Sequence, residues 1–127
     1  MTCALDNPPP QRYGRSAAAT AVDGLTIDST YLARDVICLG VSGDVDVASS
    51  SSLDNAIREA LAAPGIKGVL VDLSKVTFLD STGINTLVQD HQRARDQNIN
   101  LQIVNPSTMA LRVLELTGVL EFLSGDA

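Results

Sequence analysis

Carboxylates and hydroxyls stand close together at two places in the sequence. Asp44 and Asp46 follow one apolar run, and Asp80, Ser81 and Thr82 follow another. Three carboxylates near two hydroxyls could bind a metal ion, catalyse a reaction or receive a covalent modification. Each of these chemistries needs further residues, and those can be looked for in the rest of the chain.

Catalysis by a hydroxyl needs a base to take its proton, and the only imidazole is that of His91. On a helix that starts at Ser81, His91 would lie about 15 Å along the axis, which argues against a Ser-His-Asp triad. No phosphate-binding loop, dinucleotide fingerprint or zinc-spaced Cys and His pair occurs. We therefore expect a protein that is not an enzyme, with no cofactor and no metal, and His91 as a half-buried member of a helix face.

The composition bounds the partners of the chain. Nine basic and fifteen acidic side chains give its 127 residues a net charge of -6, so the basic stripe that nucleic acids require is absent. No apolar run is long enough to span a membrane, and the N-terminus lacks the pattern of a secretory signal. We expect a cytoplasmic protein without nucleic acid or direct membrane contact.

The chain divides into two parts. Residues 1–23 contain three consecutive prolines and a run of small residues without an amphipathic period, which predicts a flexible tail. Two acidic and two basic side chains balance within this tail, so residues 24–127 carry the whole net charge. These residues predict one folded domain.

The domain alternates between strand-like and helix-like patterns. Two strands, at 25–32 and 36–41, predict a hairpin, and strands follow at 68–73 and 101–104. Amphipathic helices are predicted at 53–61, from 81 to 96, and from 106 to 118, and the apolar patch 119–123 is compatible with a final short strand. The order β-β-α-β-α-β-α predicts an α/β fold with a central, mostly parallel mixed sheet and helices packed on it.

The strand 36–41 is apolar at every position except Gly40. This pattern favours a strand that is covered on both faces or buried in the centre of the sheet. In a parallel sheet the turns after the strands share one edge, so the turns 43–49 and 78–83 should meet. We call these two turns the rim.

Two interpretations fit the segment from Asp80 to Ile84. In the first, Asp80 or Ser81 caps the helix, and Gly83 lets the first turn pass close to a neighbour. In the second, the hydroxyl on the first turn is accessible to a kinase. A phosphate there would meet free backbone N–H groups and the positive end of the helix dipole.

The motif Gly43-Asp44-Val45-Asp46, followed by Phe78-Leu79-Asp80-Ser81-Thr82-Gly83-Ile84, resembles the STAS domain of bacterial anti-sigma factor antagonists. The resemblance covers roughly residues 25 to 120. It implies that an anti-sigma factor with serine kinase activity, bringing ATP and magnesium, phosphorylates the serine after the aspartate. The unphosphorylated antagonist would bind the anti-sigma factor and release a sigma factor, and a phosphatase would restore it.

Carried over to this chain, the resemblance implies phosphorylation of Ser81, with Thr82 as the alternative. The residues implied in partner binding lie in the rim or directly after it: Asp44, Asp46, Asp80, Ser81, Thr82, Gly83 and Ile84. Asn85 departs from the family, in which a second glycine is frequent at this position. The alternative function is that of a non-phosphorylated STAS accessory subunit of a transporter or lipid-transfer complex.

Overall fold

The computed structural model describes residues 20–22 and 24–123. Its strands and helices alternate along the chain after an initial group of strands. The strands are β1 (Thr20–Val22), β2 (Leu25–Ala33), β3 (Val36–Val45), β4 (Gly68–Leu79) and β5 (Asn100–Val104). The helices are α1 (Ser50–Leu61), α2 (Ser81–Asp96), α3 (Thr108–Thr117) and α4 (Leu120–Leu123).

The five strands form one mixed sheet in the order β1-β2-β3-β4-β5. β2 and β3 pair antiparallel, which confirms the predicted hairpin, and β3, β4 and β5 run parallel. The α/β fold with a mixed sheet is therefore as predicted, and its three parallel strands are adjacent. β1 pairs antiparallel with β2, so β2 does not form the edge of the sheet.

β1 lies inside the segment 1–23 that the sequence predicts as a tail. The sheet thus begins four residues before the predicted domain boundary at residue 24. Residues 1–19, 23 and 124–127 lie outside the described residues. The prediction of a flexible tail at 1–23 therefore concerns mostly residues that the structure does not describe.

The two faces of the sheet differ in burial. On one face the side chains of the central strands are almost fully buried: Ile37, Leu39, Val41, Val69, Val71, Leu73, Leu101 and Ile103. On the other face Val36, Cys38 and Leu70 are only half-buried. β3 is therefore central in the sheet, as one of the two interpretations predicts, but it is not covered on both faces.

The helices form where an apolar stripe has the helical period. In α1 the buried residues Leu53, Ile57, Ala60 and Leu61 are those of the predicted stripe. The N-cap of α3 is Ser107, whose side chain accepts the N–H of Ala110, and its C-cap is Gly118 in the left-handed conformation. Among the described residues no helix is both long and apolar enough to cross a membrane.

The prediction of a final strand at 119–123 is wrong, because this segment forms the short helix α4. The N–H of Leu123 donates to the carbonyl of Val119 at 3.0 Å, the spacing of an α-helical turn. Leu123 is fully buried. A five-residue segment with four apolar residues fits both a strand and a helical turn, and here burial of one side of the turn favours the helix.

Candidate functional site

The rim forms because β3 and β4 both extend beyond their predicted ends. β3 continues to Val45 and β4 to Leu79, and these two residues are paired in the parallel ladder. The N–H of Asp80 then donates to the carbonyl of Val45 at 3.3 Å. The structure therefore brings the segments of Asp44, Asp46 and Asp80 together, as the parallel sheet predicts.

Asp44 connects the two strands at this edge. The hydroxyl of Thr77 donates to Oδ1 of Asp44 at 2.6 Å, and Asp44 is exposed. Gly43, just before it, has a φ of 106°, and a Cβ there would lie only 1.9 Å from the carbonyl oxygen of Gly24. The glycine of the motif is thus required by backbone geometry, and the side chain of Asp44 faces solvent beside it.

Asp46 builds the turn between β3 and α1. Its Oδ1 accepts the N–H groups of Ala48 and Ser49 at 3.0 and 3.2 Å. The N–H of Asp46 in turn donates to Oγ of Ser49 at 3.1 Å, and that hydroxyl donates to the carbonyl of Asp44 at 2.7 Å. Ser49 is fully buried. The carboxylate of Asp46 therefore has a structural role in addition to any role at the surface.

Asp80 is the N-cap of α2. Its Oδ1 accepts the N–H groups of Thr82 and Gly83 at 3.0 and 3.1 Å. Its backbone is extended, with φ of -114° and ψ of -172°, as an N-cap residue requires. The capping interpretation is confirmed, and it assigns the cap to Asp80 and not to Ser81.

Ser81 is the first residue of α2 and is exposed. Its hydroxyl makes no hydrogen bond to any described residue. Thr82 is half-buried, so Ser81 is the more accessible of the two candidate hydroxyls. The expectation of free N–H groups for a phosphate is wrong for Thr82 and Gly83, because Asp80 already accepts both.

Gly83 and Ile84 face the interior. A Cβ on Gly83 would lie 2.6 Å from Cγ1 of Val45 and 2.7 Å from Cδ1 of Leu79. The side chain of Ile84 is 7% exposed and belongs to the core. These two residues therefore seat the helix on the sheet. Of the predicted set, Asp44 and Ser81 are exposed, and Asp46, Asp80 and Thr82 are half-buried.

Two exposed apolar side chains were not among the predicted site residues. Val47 lies in the turn after Asp46 and is 74% exposed, and Phe78 lies beside Asp44 in the ladder and is 43% exposed. Apolar side chains do not suggest catalysis or metal binding, and these two were therefore not predicted as site residues. Their position in the two rim turns could have indicated exposure, because an apolar side chain there has no sheet face to bury it.

His91 lies away from the rim on the buried side of α2. Its ring packs against Phe122 at 4.4 Å between centroids, and its buried Nδ1 has no hydrogen-bond partner among the described residues. Burial and then the charge of Arg95 lower the pKa of His91. The imidazole is more buried than predicted, and it contacts a core aromatic, not a hydroxyl.

Asp90, the residue before His91, is a fully buried carboxyl that the sequence analysis did not single out. It lies where α2 faces Asp54 of α1. Among the residues that the structure describes, no group of three or more His, Cys, Asp or Glu side chains is placed to hold a metal ion.

Comparison with known proteins agrees with this geometry. The sequence pattern of the STAS domain matches residues 29–125. An anti-sigma-B factor antagonist of Listeria monocytogenes is 27% identical over 85 residues, which cover 67% of this chain and 74% of that protein.

Solved structures are also similar. An anti-sigma factor antagonist from Mycobacterium paratuberculosis is 26% identical, with a TM-score of 0.65 over 82% of this chain and 86% of that one. Unphosphorylated SpoIIAA, an anti-sigma factor antagonist, shares the fold at 17% identity, with a TM-score of 0.66 over 80% of this chain and 87% of that one. SpoIIAA in its phosphorylated form, from Bacillus, has a TM-score of 0.61 at 17% identity over 80% of this chain and 90% of that one. Since the family pattern spans most of the chain and the folds agree, this protein belongs to the STAS domain family.

Proposed function

We propose that the protein is an anti-sigma factor antagonist that is switched by phosphorylation of Ser81. The observation that carries this proposal is the hydroxyl of Ser81, exposed on the first residue of α2 and free of hydrogen bonds to the described residues. In its unphosphorylated state the rim binds an anti-sigma factor and so releases a sigma factor. The relatives named as anti-sigma factor antagonists support this assignment.

The switch rests on the charge beside Ser81. The carboxylate of Asp80 is held at the start of the helix by the two N–H groups that it accepts. A phosphate on the next residue, Ser81, would add up to two negative charges beside this carboxylate. The N–H groups of Thr82 and Gly83, which would otherwise help to neutralise the phosphate, are occupied. The added charge therefore acts on the partner surface, where like-charge or desolvation costs weaken binding.

The partner in this proposal is an anti-sigma factor with serine kinase activity that brings its own ATP and magnesium, and a phosphatase restores Ser81. The protein itself acts as a binding module in the cytoplasm and not as an enzyme. Asp44 and Ser81 contribute polar contacts at the rim, and Asp46, Asp80, Thr82, Gly83 and Ile84 hold the backbone that presents them.

The test uses the full chain with candidate anti-sigma kinases from the same genome, ATP and magnesium. We expect the mass increase of one phosphoryl group, located on Ser81 by peptide mapping and lost in Ser81→Ala. By titration calorimetry Ser81→Ala should bind the anti-sigma factor as tightly as the unphosphorylated wild type does. Ser81→Glu should bind at least tenfold more weakly, since a disrupted charged contact costs about 2–5 kcal/mol.

The control for net charge is Gln92→Glu, an exposed position further along the same helix. This variant adds the same charge away from the rim and should bind like the wild type. Equal affinities of Ser81→Ala and Ser81→Glu, with no phosphate from any candidate, would overturn the proposal. Co-purification with a membrane ATPase would instead favour the role of an accessory subunit.

A further inference from the structure

Helices α1 and α2 contact each other through a group of charged side chains. Asp90 of α2 is fully buried, and Arg93 on the next turn of α2 binds its Oδ1 through Nη1. The other oxygen, Oδ2, is buried without a hydrogen-bond partner among the described residues. A buried carboxylate with a free oxygen lacks the donors that would replace its hydration.

The positive charge beside Asp90 is shared. Nη1 of Arg93 also lies 3.7 Å from Oδ1 of Asp54 on α1, and Oδ2 of Asp54 lies 3.6 Å from Nε of Arg58. The side chain of Asp54 is 33% exposed, whereas that of Asp90 is 0% exposed. Water therefore reaches one carboxyl of the pair and not the other.

The group contains two carboxyls, Asp54 and Asp90, and two guanidiniums, Arg58 and Arg93. The sheet face beneath them is apolar, and the other buried polar residues in the described part of the chain are Ser49, Ser50 and His91. No further charged group thus faces Asp90 from the strands. The ring of His91, the next residue of α2, packs on Phe122 of α4.

We propose that Asp90 and Asp54 hold one proton between them, and that this proton fastens α2 to α1. Protonation converts one oxygen of Asp90 into a donor, for which the carboxylate of Asp54 is the neighbouring acceptor. The group holds two guanidiniums, so loss of the proton does not leave a net negative charge. It places a charge on Asp90 out of reach of water, with Arg93 bound to one of its oxygens and no donor among the described residues at the other.

The electrostatics support this arrangement. Burial, and then the neighbouring Asp54 carboxyl, raise the pKa of Asp90 from 3.8 to about 7, against the opposing charges of Arg93 and Arg58. This difference corresponds to about a thousandfold tighter binding of the proton in the folded state. Because the folded state holds the proton more tightly, its stabilisation is full at low pH and is lost as the pH rises through about 7.

This proton site differs from the rim and does not depend on the partner proposed above. It nevertheless joins the two helices that follow the strands at the rim, α1 from Ser50 and α2 from Ser81. Asp90 lies about 14 Å along α2 from Ser81. The proton thus helps to fix the position of one helix relative to the other.

The test is a carboxyl-detected NMR titration of Asp90 in the full chain. We expect a midpoint above pH 6, and a midpoint below pH 5 would overturn the proposal. Asp54→Asn removes the neighbouring charge and should lower the midpoint of Asp90. An unchanged midpoint in this variant would show that Asp54 is not part of the site.

A second measurement follows the helix contact itself. Between about pH 6.5 and 8 the amide protons of α1 and α2 should exchange faster in the wild type as pH rises, after correction for intrinsic rates. Asp90→Asn carries a permanent donor, so the corrected exchange rates should no longer increase with pH in this variant. We call the increase in the wild type the excess. Asp96→Asn, an exposed carboxylate at the end of the same helix, should retain it. An excess that persists in Asp90→Asn would contradict the proposal.

Discussion

Gly83 lies so close to Val45 that a methyl group on its α-carbon would come within 2.6 Å of Cγ1 of Val45. Leu79, the last residue of β4, would be 2.7 Å from the same methyl group. The first turn of α2 is thus seated directly on the ends of β3 and β4. This contact, together with the cap at Asp80, determines where Ser81 stands on the surface.

Replacement of Gly83 by alanine should destabilise the protein. Overpacking against Val45 and Leu79 costs about 1–3 kcal/mol, which exceeds the gain of about 1 kcal/mol in helix propensity. The free energy of unfolding from urea titration measures the result. Asn85→Ala, at an exposed position two residues later, is the control and should be neutral or stabilising. A Gly83→Ala variant as stable as the control would contradict this prediction, because it would mean that Val45 and Leu79 can move away from the added methyl group without loss of stability.

Two substitutions of Asp80 should separate its cap from its charge. Asp80→Ala removes the acceptor for the N–H groups of Thr82 and Gly83 and should lower the free energy of unfolding by about 1 kcal/mol. Asp80→Asn keeps an oxygen in the cap and should remain close to the wild type. Amide exchange at Thr82 and Gly83 reports the cap directly. Wild-type protection of both amides in Asp80→Ala would contradict the assignment.

The pH dependence of stability should change when His91 is replaced. Its pKa is lowered by burial, so the unfolded chain binds the proton more tightly and this contribution to stability is lost as the pH falls below about 6.5. Asp90 acts in the opposite direction, since its pKa is raised. In His91→Leu only the second effect remains.

Unfolding free energies near pH 7.5 and near pH 5.5 test this prediction. On acidification the wild type should lose stability relative to His91→Leu, and Asp90 cancels because both proteins contain it. The same change with pH in both proteins would show that the imidazole titrates as it does in the unfolded chain.

The elements of the fold could be predicted wherever burial imposes a period on the sequence. Leu53, Ile57 and Leu61 mark α1 because one side of that helix faces the core. The ends of β3 and β4 could not be predicted in this way. β4 has a register shift against β3 between Asp72 and Lys75, which interrupts the alternation of buried and exposed side chains.

The site was predictable in its location but not in the tasks of its residues. The order of the parallel strands places Asp46 and Asp80 at one edge, and the capping interpretation anticipates the N–H groups that Asp80 accepts. The N–H groups that Asp46 accepts in the turn before α1 were not predicted. The burial and pairing of Asp90 could not be predicted, because its partner Asp54 lies on another helix. The exposure of Val47 and Phe78 could not be predicted either, because it depends on where the neighbouring turns end.

The outward position of Ser81 also bears on reversibility. A group joined to this hydroxyl would find the N–H groups of Thr82 and Gly83 already bound by Asp80 and would remain in solvent. The protein would then provide no pocket that shields the new ester bond from hydrolysis. The exposure that makes the Ser81 hydroxyl accessible to a kinase also makes the phosphoserine accessible to a phosphatase. The lifetime of the phosphorylated state is therefore set by those enzymes and not by this fold.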